Sequence, residues 1–247
     1  MSKVYTGMDR SGSYRVYLAL TTDMVEEARK IHDTTPLATA GLGRVLTGAG
    51  LMGLMLKNEK DKLTVIFKGD GPAKQILATA TADGRVKGYI ANPAVDLPLN
   101  ELGKLDVGGS LGIGDLTVIK DLGMKEPYVG TIALATGEIA DDLTAYYFIS
   151  EQQNSAISLG VKIDTDYSVL AAGGMIIQML PGFKDEAVDA LEYERSGVVL
   201  LCGIGEAAAQ AEVCVFVLLS EENVFAEEKL GQDFVVLEVG FQCAGDG

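Results

Sequence analysis

The sequence predicts an α+β fold: a layered β/α/β core domain with a buried central helix, followed by a small C-terminal appendage. Three observations carry that prediction. Residues 36–57, PLATAGLGRVLTGAGLMGLMLK, have the length of a helix and small or apolar residues on every face, with Arg44 as the one charge before Lys57. A helix that is polar on no side has to be covered on all sides, so it runs through the middle of a fold. Segments with strand character surround it, at 13–21, 62–68, 85–93, 116–122 and 128–135, recognised by alternation or by short apolar runs between turn signals. Strands and helices interleave without a strict βαβ beat, which favours α+β over a doubly wound sheet.

The elements follow in order. Residues 13–21 (SYRVYLALT) alternate as a strand, and Thr22 or Asp23 is placed to cap a helix through MVEEARKIH. Pro36 opens the central helix at a position where its missing N–H costs little. The apolar run Val45–Leu56 is twelve residues, short of the roughly 20 that a bilayer demands. Residues 62–68 read as a strand, GDGP at 69–72 as a turn, and 73–84 as a strand or short helix ending in the Asp83-Gly84 turn. A strand from Arg85 is stopped by Asn92-Pro93, so 62–92 is a meander. Further strands fit 116–122 and 128–135, followed by a turn near Gly137 and a helix from about Asp141. After the polar passage QQNSAIS, residues 159–182 hold two strands around a turn at Asp164–Tyr167. Pro181-Gly182 closes the core domain, 1–182. An acidic helical stretch, 183–197, links it to a compositionally different segment, 198–247.

Composition narrows the function. With 48% hydrophobic residues the chain can build a substantial core. A formal net charge of -15 argues against nucleic-acid or anionic-membrane partners, which require a basic surface. The first seventeen residues hold no apolar run of the secretory kind, so a cytoplasmic location is expected. The three cysteines, Cys202, Cys214 and Cys243, all fall in the last fifth of the chain. An odd number does not make a disulfide framework, so any function they have is redox or metal. The plain alternative is that all three are small buried hydrophobes.

Enzymatic signatures are weak. His32, the only histidine, has no G-x-S-x-G serine to serve and reads as a helix-end residue near the negative pole of the macrodipole. GDGPAK at 69–74 lacks the ending of a phosphate loop. The adjacent carboxylates Glu26-Glu27, Asp141-Asp142 and Glu221-Glu222 point about 100° apart on a helix and read as solvated faces. Met52, Met55, Met175 and Met179 read as core filler rather than an adaptable binding surface. Residues 198–222 offer a rival: an apolar strand, then Gly203-Ile204-Gly205-Glu206-Ala207-Ala208 in the pattern G-x-G-x-x-A, then a strand ending at Glu221 and Glu222. That is the order of a dinucleotide-binding unit, although its helix would have about seven residues where a crossover needs a dozen or more.

A resemblance joins these pieces. TTDMVEEARKIHDTTPLATAGLGR (21–44), DKLTVIFKGDGP (61–72), YIANP (89–93), GKLDVG (103–108), LTVIKDLGMKEPYVG (116–130), GEIADDLTAYYFISEQ (137–152) and AAGGMIIQMLPG (171–182) resemble the heat shock protein 33 family of redox-regulated bacterial holdase chaperones, in order and spacing over about residues 1–195. The resemblance implies a buried helix between β-sheets, no catalysed reaction, and ATP-independent binding of unfolding proteins that prevents their aggregation under heat and oxidative stress. It also implies a homodimer in the active state and a C-terminal zinc module, in which a Cys-x-Cys and a Cys-x-x-Cys pair hold the metal until oxidation turns the thiols into disulfides. Here the chain departs from the pattern. Cys214 in AEVCVF matches the first cysteine of the second pair, with Val217 where its partner belongs. Cys202 in LLCGI matches the first pair, with Ile204 where its partner belongs.

Overall fold

The structure is a computed structural model that describes residues 2–9 and 12–183, and the backbone alone of 234–240 and 242–243. Its elements are β1 (Lys3–Asp9), β2 (Tyr14–Leu20), α1 (Thr22–His32), α2 (Pro36–Gly53), β3 (Lys62–Gly69), β4 (Gln75–Thr81), β5 (Arg85–Ile90), α3 (Val107–Leu111), β6 (Gly114–Asp121), β7 (Tyr128–Ala133), α4 (Ala140–Ser150), β8 (Ser155–Ile163), β9 (Val169–Met179), β10 (Phe234–Gly240) and β11 (Gln242–Cys243). They form a five-stranded sheet in the order β10-β1-β2-β9-β8 and a six-stranded sheet in the order β11-β5-β4-β3-β6-β7. All pairings are antiparallel except the short one between β11 and β5.

The central helix α2 lies between the sheets. It packs on β3, β4 and β5 of one and on β2, β8 and β9 of the other. Every residue from Leu37 to Gly53 is buried, as the all-round apolar sequence demands. Leu37, Leu42, Leu46 and Leu51 are at most 2% exposed, and each stabilises the fold by about 1.5–3 kcal/mol. Thr35 caps the helix by accepting from Ala38 N–H at 3.4 Å, and Pro36 occupies the first position. Two glycines allow the close approach. A Cβ at Gly43 would stand 2.6 Å from Val25 Cγ1 of α1 and 2.8 Å from Val161 Cγ2 of β8. One at Gly48 would stand 2.8 Å from Leu143 Cδ1 of α4.

The structure corrects several local expectations. The helix ends at Gly53, not at Lys57, and 54–57 leave it through turns. Residues 75–81 are a strand, so the strand reading of 73–84 holds over the helical one. Helix α1 begins at Thr22, and neither Thr22 nor Asp23 caps it. Thr21 sits at the cap position without a side-chain cap bond. Its hydroxyl is engaged with Thr47 of α2 at 2.8 Å, while Thr22 Oγ1 accepts from Ala172 N–H of β9. Both threonines tie helices to neighbouring elements instead of closing a helix end.

Asp142 is also corrected. It is fully buried, where the sequence reading made it part of a solvated pair. Its carboxylate accepts from the N–H groups of Ala135, Thr136 and Ile139 at 2.7, 3.1 and 3.2 Å. It thereby organises the turn into α4, including Ile139, a buried β-branched residue held at φ 66° where such residues are outliers. Asp141 is exposed and bonds Thr136 Oγ1.

Candidate functional site

The faces of the two sheets decide where the fold can meet other molecules. In the five-stranded sheet, Val4, Tyr17, Ala19, Ile157, Leu159 and Ile176 pack into the core around α2. The register puts the opposite set on the far side: Tyr5 pairs with Leu18 and Leu18 with Met175. Val16 pairs with Ile177, Tyr14 with Met179 and Leu20 with Gly173. This outer face is therefore apolar across β2 and β9, while β1 adds Tyr5 and Gly7 between the charged Lys3 and Asp9 at its ends. Alternation of side chains makes the assignment unambiguous.

Tyr14, Leu18 and Met175 on this face are only 4–5% exposed, although the described helices pack on the inner side. Val16, Leu20, Ile177 and Met179 are half-buried. Met175 and Met179 thus lie on the outer sheet face, while Met52 is in the central core and Met55 accepts a bond from Tyr147 Oη.

The six-stranded sheet differs. Its inner face, with Leu63, Val65, Phe67, Ile76, Leu116 and Val118, is buried. Its outer face carries threonine ladders, Thr64 with Thr79 and Thr117 with Thr131, and the exposed Lys62, Lys68, Arg85 and Lys87. That is a face built for water. Apolar content distinguishes the two outer surfaces.

The charged groups around the core are structural. Arg44, buried in the middle of α2, donates from Nη1 to Glu138 Oε2 at 2.6 Å, and Glu138 Oε1 accepts from Gly108 N–H at 3.2 Å. Glu26 on α1 receives both Nε and Nη2 of Arg29 at 2.8 Å, the N–H of Val169 at 2.9 Å and Lys30 at 3.2 Å. The hydrogen bonds from Arg29 are the main reason its carboxyl is lowered to about 2. Tyr146 donates to Glu151 Oε1, which also receives Lys120 Nζ. Burial, foremost, pushes the phenols of Tyr146 and Tyr147 well above their ordinary range. His32 closes α1 and donates from Nε2 to Gly88 O at 2.9 Å.

Of the predicted redox or metal residues, Cys202 and Cys214 lie outside the described residues, as do Glu221-Glu222 and the 198–222 dinucleotide-like segment. The backbone of Cys243 is placed in β11, opposite Val86 of β5. Among the described residues no three His, Cys, Asp or Glu side chains gather as a metal site, and no helix is long and apolar enough to cross a membrane.

A buried helix clasped between antiparallel sheets, one of them with an apolar outer face, defines a layered α+β domain. The chain belongs to the Hsp33 protein family, which it matches over residues 2–243. It is 49% identical over 192 residues to the 33 kDa chaperonin of Clostridium tetani, covering 77% of this chain and 65% of that protein. It is 46% identical over 230 residues to the 33 kDa chaperonin of Clostridium perfringens, covering 92% and 72%. The crystal structure of the 33 kDa chaperonin (heat shock protein 33 homolog) of Thermotoga maritima superposes with a TM-score of 0.79 at 36% identity, covering 99% of this chain and 81% of that one. The chain thus spans about two thirds of the length of the first of these relatives.

The residues present do not fit the four-thiolate zinc centre that the family resemblance implies. The 247 residues contain three cysteines, no two of them within ten positions of each other. The one histidine is engaged with the Gly88 carbonyl.

Proposed function

We propose that this protein is an ATP-independent holdase that binds unfolding proteins and prevents their aggregation under heat or oxidative stress. The observation that carries the reading is the apolar outer face of the five-stranded sheet, lined by Val16, Leu18, Leu20, Met175 and Ile177. Unfolding chains expose apolar surface, and a sheet face of the same character covers it without chemistry or nucleotide. Leu18 and Met175 are buried here, so for this face to hold a client it has to be uncovered first. The protein acts as a binder rather than an enzyme, in the cytoplasm, as a homodimer when active. Its acidic charge disfavours nucleic acid and anionic membranes as partners.

The test is light scattering from a heat-unfolding client protein with the chain added at increasing ratios. Suppression at near-stoichiometric chain supports the reading, and undiminished aggregation at a tenfold excess in reduced, oxidised and heated samples alike refutes it. The cofactor-binding alternative rests on Gly203-Ile204-Gly205 and is tested by calorimetric titration with a dinucleotide. No heat of binding at millimolar ligand removes it.

A further inference from the structure

The last described strands are not confined to one sheet. β10 extends the five-stranded sheet by seven paired positions along β1, from Lys3 opposite Gly240 to Asp9 opposite Phe234. Two residues further on, β11 joins the other sheet, with Gln242 opposite Arg85 and Cys243 opposite Val86. Residues 234–240 and 242–243 therefore pair with different sheets, at the edges where β1 and β5 would otherwise end them. These strands come from the stretch that the sequence reading assigns to the appendage.

We propose that residues 234–243 form a clasp across the two sheet edges, and that this backbone pairing, in place of a four-thiolate zinc centre, holds the C-terminal part of the chain on the core. Two observations meet here. The donor set of the family's centre is incomplete in these residues, and a ladder of seven register pairs supplies an attachment that needs no metal. The ladder also borders the apolar outer face, because Glu238 and Val236 of β10 pair with Tyr5 and Gly7 of β1, which share the side of Leu18 and Val16. An attachment made of hydrogen bonds between strands is insensitive to thiol oxidation and yields to heat or to a break in the ladder. For its activity readout the proposal rests on the holdase reading above.

The experiment uses the 247-residue chain and three variants. Successive residues of a strand point their N–H groups to opposite sides, so of Val235→Pro and Val236→Pro one removes a bond to β1 and the other does not. The third variant replaces Cys202, Cys214 and Cys243 by serine. Hydrogen exchange of residues 4–9 is followed together with bound zinc and suppression of client aggregation. The expected result is that one proline variant speeds exchange in β1 at least tenfold while its neighbour does not, and that it suppresses aggregation at lower temperature. The serine variant matches the unmodified chain in both readouts, with and without peroxide, and neither binds zinc.

Equal exchange in both proline variants and the unmodified chain overturns the clasp. One zinc per chain, lost together with the attachment in the serine variant, overturns it as well. Should exchange follow the expectation while no sample suppresses aggregation, the clasp stands and the holdase reading fails.

Discussion

Replacing Gly43 by alanine should destabilise the protein, although alanine is the better helix former. In a helix interior the exchange gains about 1 kcal/mol from propensity. At Gly43 the new methyl group would stand 2.6 Å from Val25 Cγ1 and 2.8 Å from Val161 Cγ2, so two branched side chains on different elements have to yield together. Overpacking of this kind costs about 1–3 kcal/mol, and with two neighbours at such distances the upper end applies, leaving a net loss of about 2 kcal/mol. Gly41 is the internal control. It lies in the same helix, but its Cβ would meet only the terminal Cδ1 of Ile76 at 3.0 Å and Val107 Cγ1 at 3.6 Å. There the propensity gain and the small adjustment nearly cancel. The propensity contribution is common to both, so the difference between Gly43→Ala and Gly41→Ala reports the crowding alone. Thermal unfolding followed by circular dichroism should place Gly43→Ala about 4–8 °C below the unmodified chain and Gly41→Ala within about 2 °C of it, at roughly 2–4 °C per kcal/mol for a chain of this size. Equal or raised midpoints for Gly43→Ala would refute the placement of α2 between α1 and β8.

Other perturbations address the surface and the charges. Val16→Thr and Ile177→Thr keep β-branching on the outer sheet face but each remove about 1 kcal/mol of apolar contact. If the holdase proposal holds, together they should raise the ratio of this chain to client needed for half-suppression of aggregation several-fold, whereas Thr64→Ser on the other sheet should leave it unchanged. The Glu26 carboxyl is lowered to about 2 in the folded protein, so its stabilisation is complete above the ordinary carboxylate range and is lost as pH falls from about 5 to 2. Discounted for solvent screening, it is worth about 1 kcal/mol. Glu26→Gln should therefore be less stable at pH 7 in denaturant titrations and indistinguishable from the unmodified chain near pH 2. Tyr146→Phe removes a buried donor to Glu151 and should cost about 1–1.5 kcal/mol. In an alkaline absorbance titration the phenols of Tyr146 and Tyr147 should ionise only as the protein unfolds.

What the sequence disclosed and what it withheld have different physical origins. The central helix is legible because all-round apolarity is a local property, and the meander β3–β5 because its turns are marked by Asp83-Gly84 and Asn92-Pro93. Strand β1 (KVYTGMD) escapes because Thr6 and Gly7 interrupt its apolar pattern, and α3 (VGGSL) because two glycines mask a helix of five residues capped by Asp106. The buried role of Asp142 depends on the N–H groups of residues 135–139 folding back over it, which adjacency in sequence does not reveal. The outer face of the five-stranded sheet is a product of register between β2 and β9, far apart in the chain. One signal was present. β2 reads Tyr-Arg-Val-Tyr-Leu-Ala-Leu, an alternation that breaks down after Arg15, where both faces turn apolar, and a strand of that kind implies that both faces are covered.

The order of the strands has a consequence for synthesis. The six-stranded sheet draws β3 to β7 from one contiguous stretch, whereas the five-stranded sheet joins β1 and β2 to β8 and β9 from the far side of the chain. On the ribosome, α2 is finished long before β9 leaves the tunnel, by roughly 6–25 s at usual elongation rates of about 5–20 residues per second. For that interval one side of the helix can rest on the growing meander, while on the other side only β1 and β2 of the sheet have been made, without β8 and β9. The nascent chain is thus, for that interval, itself an incompletely folded protein with apolar surface on display.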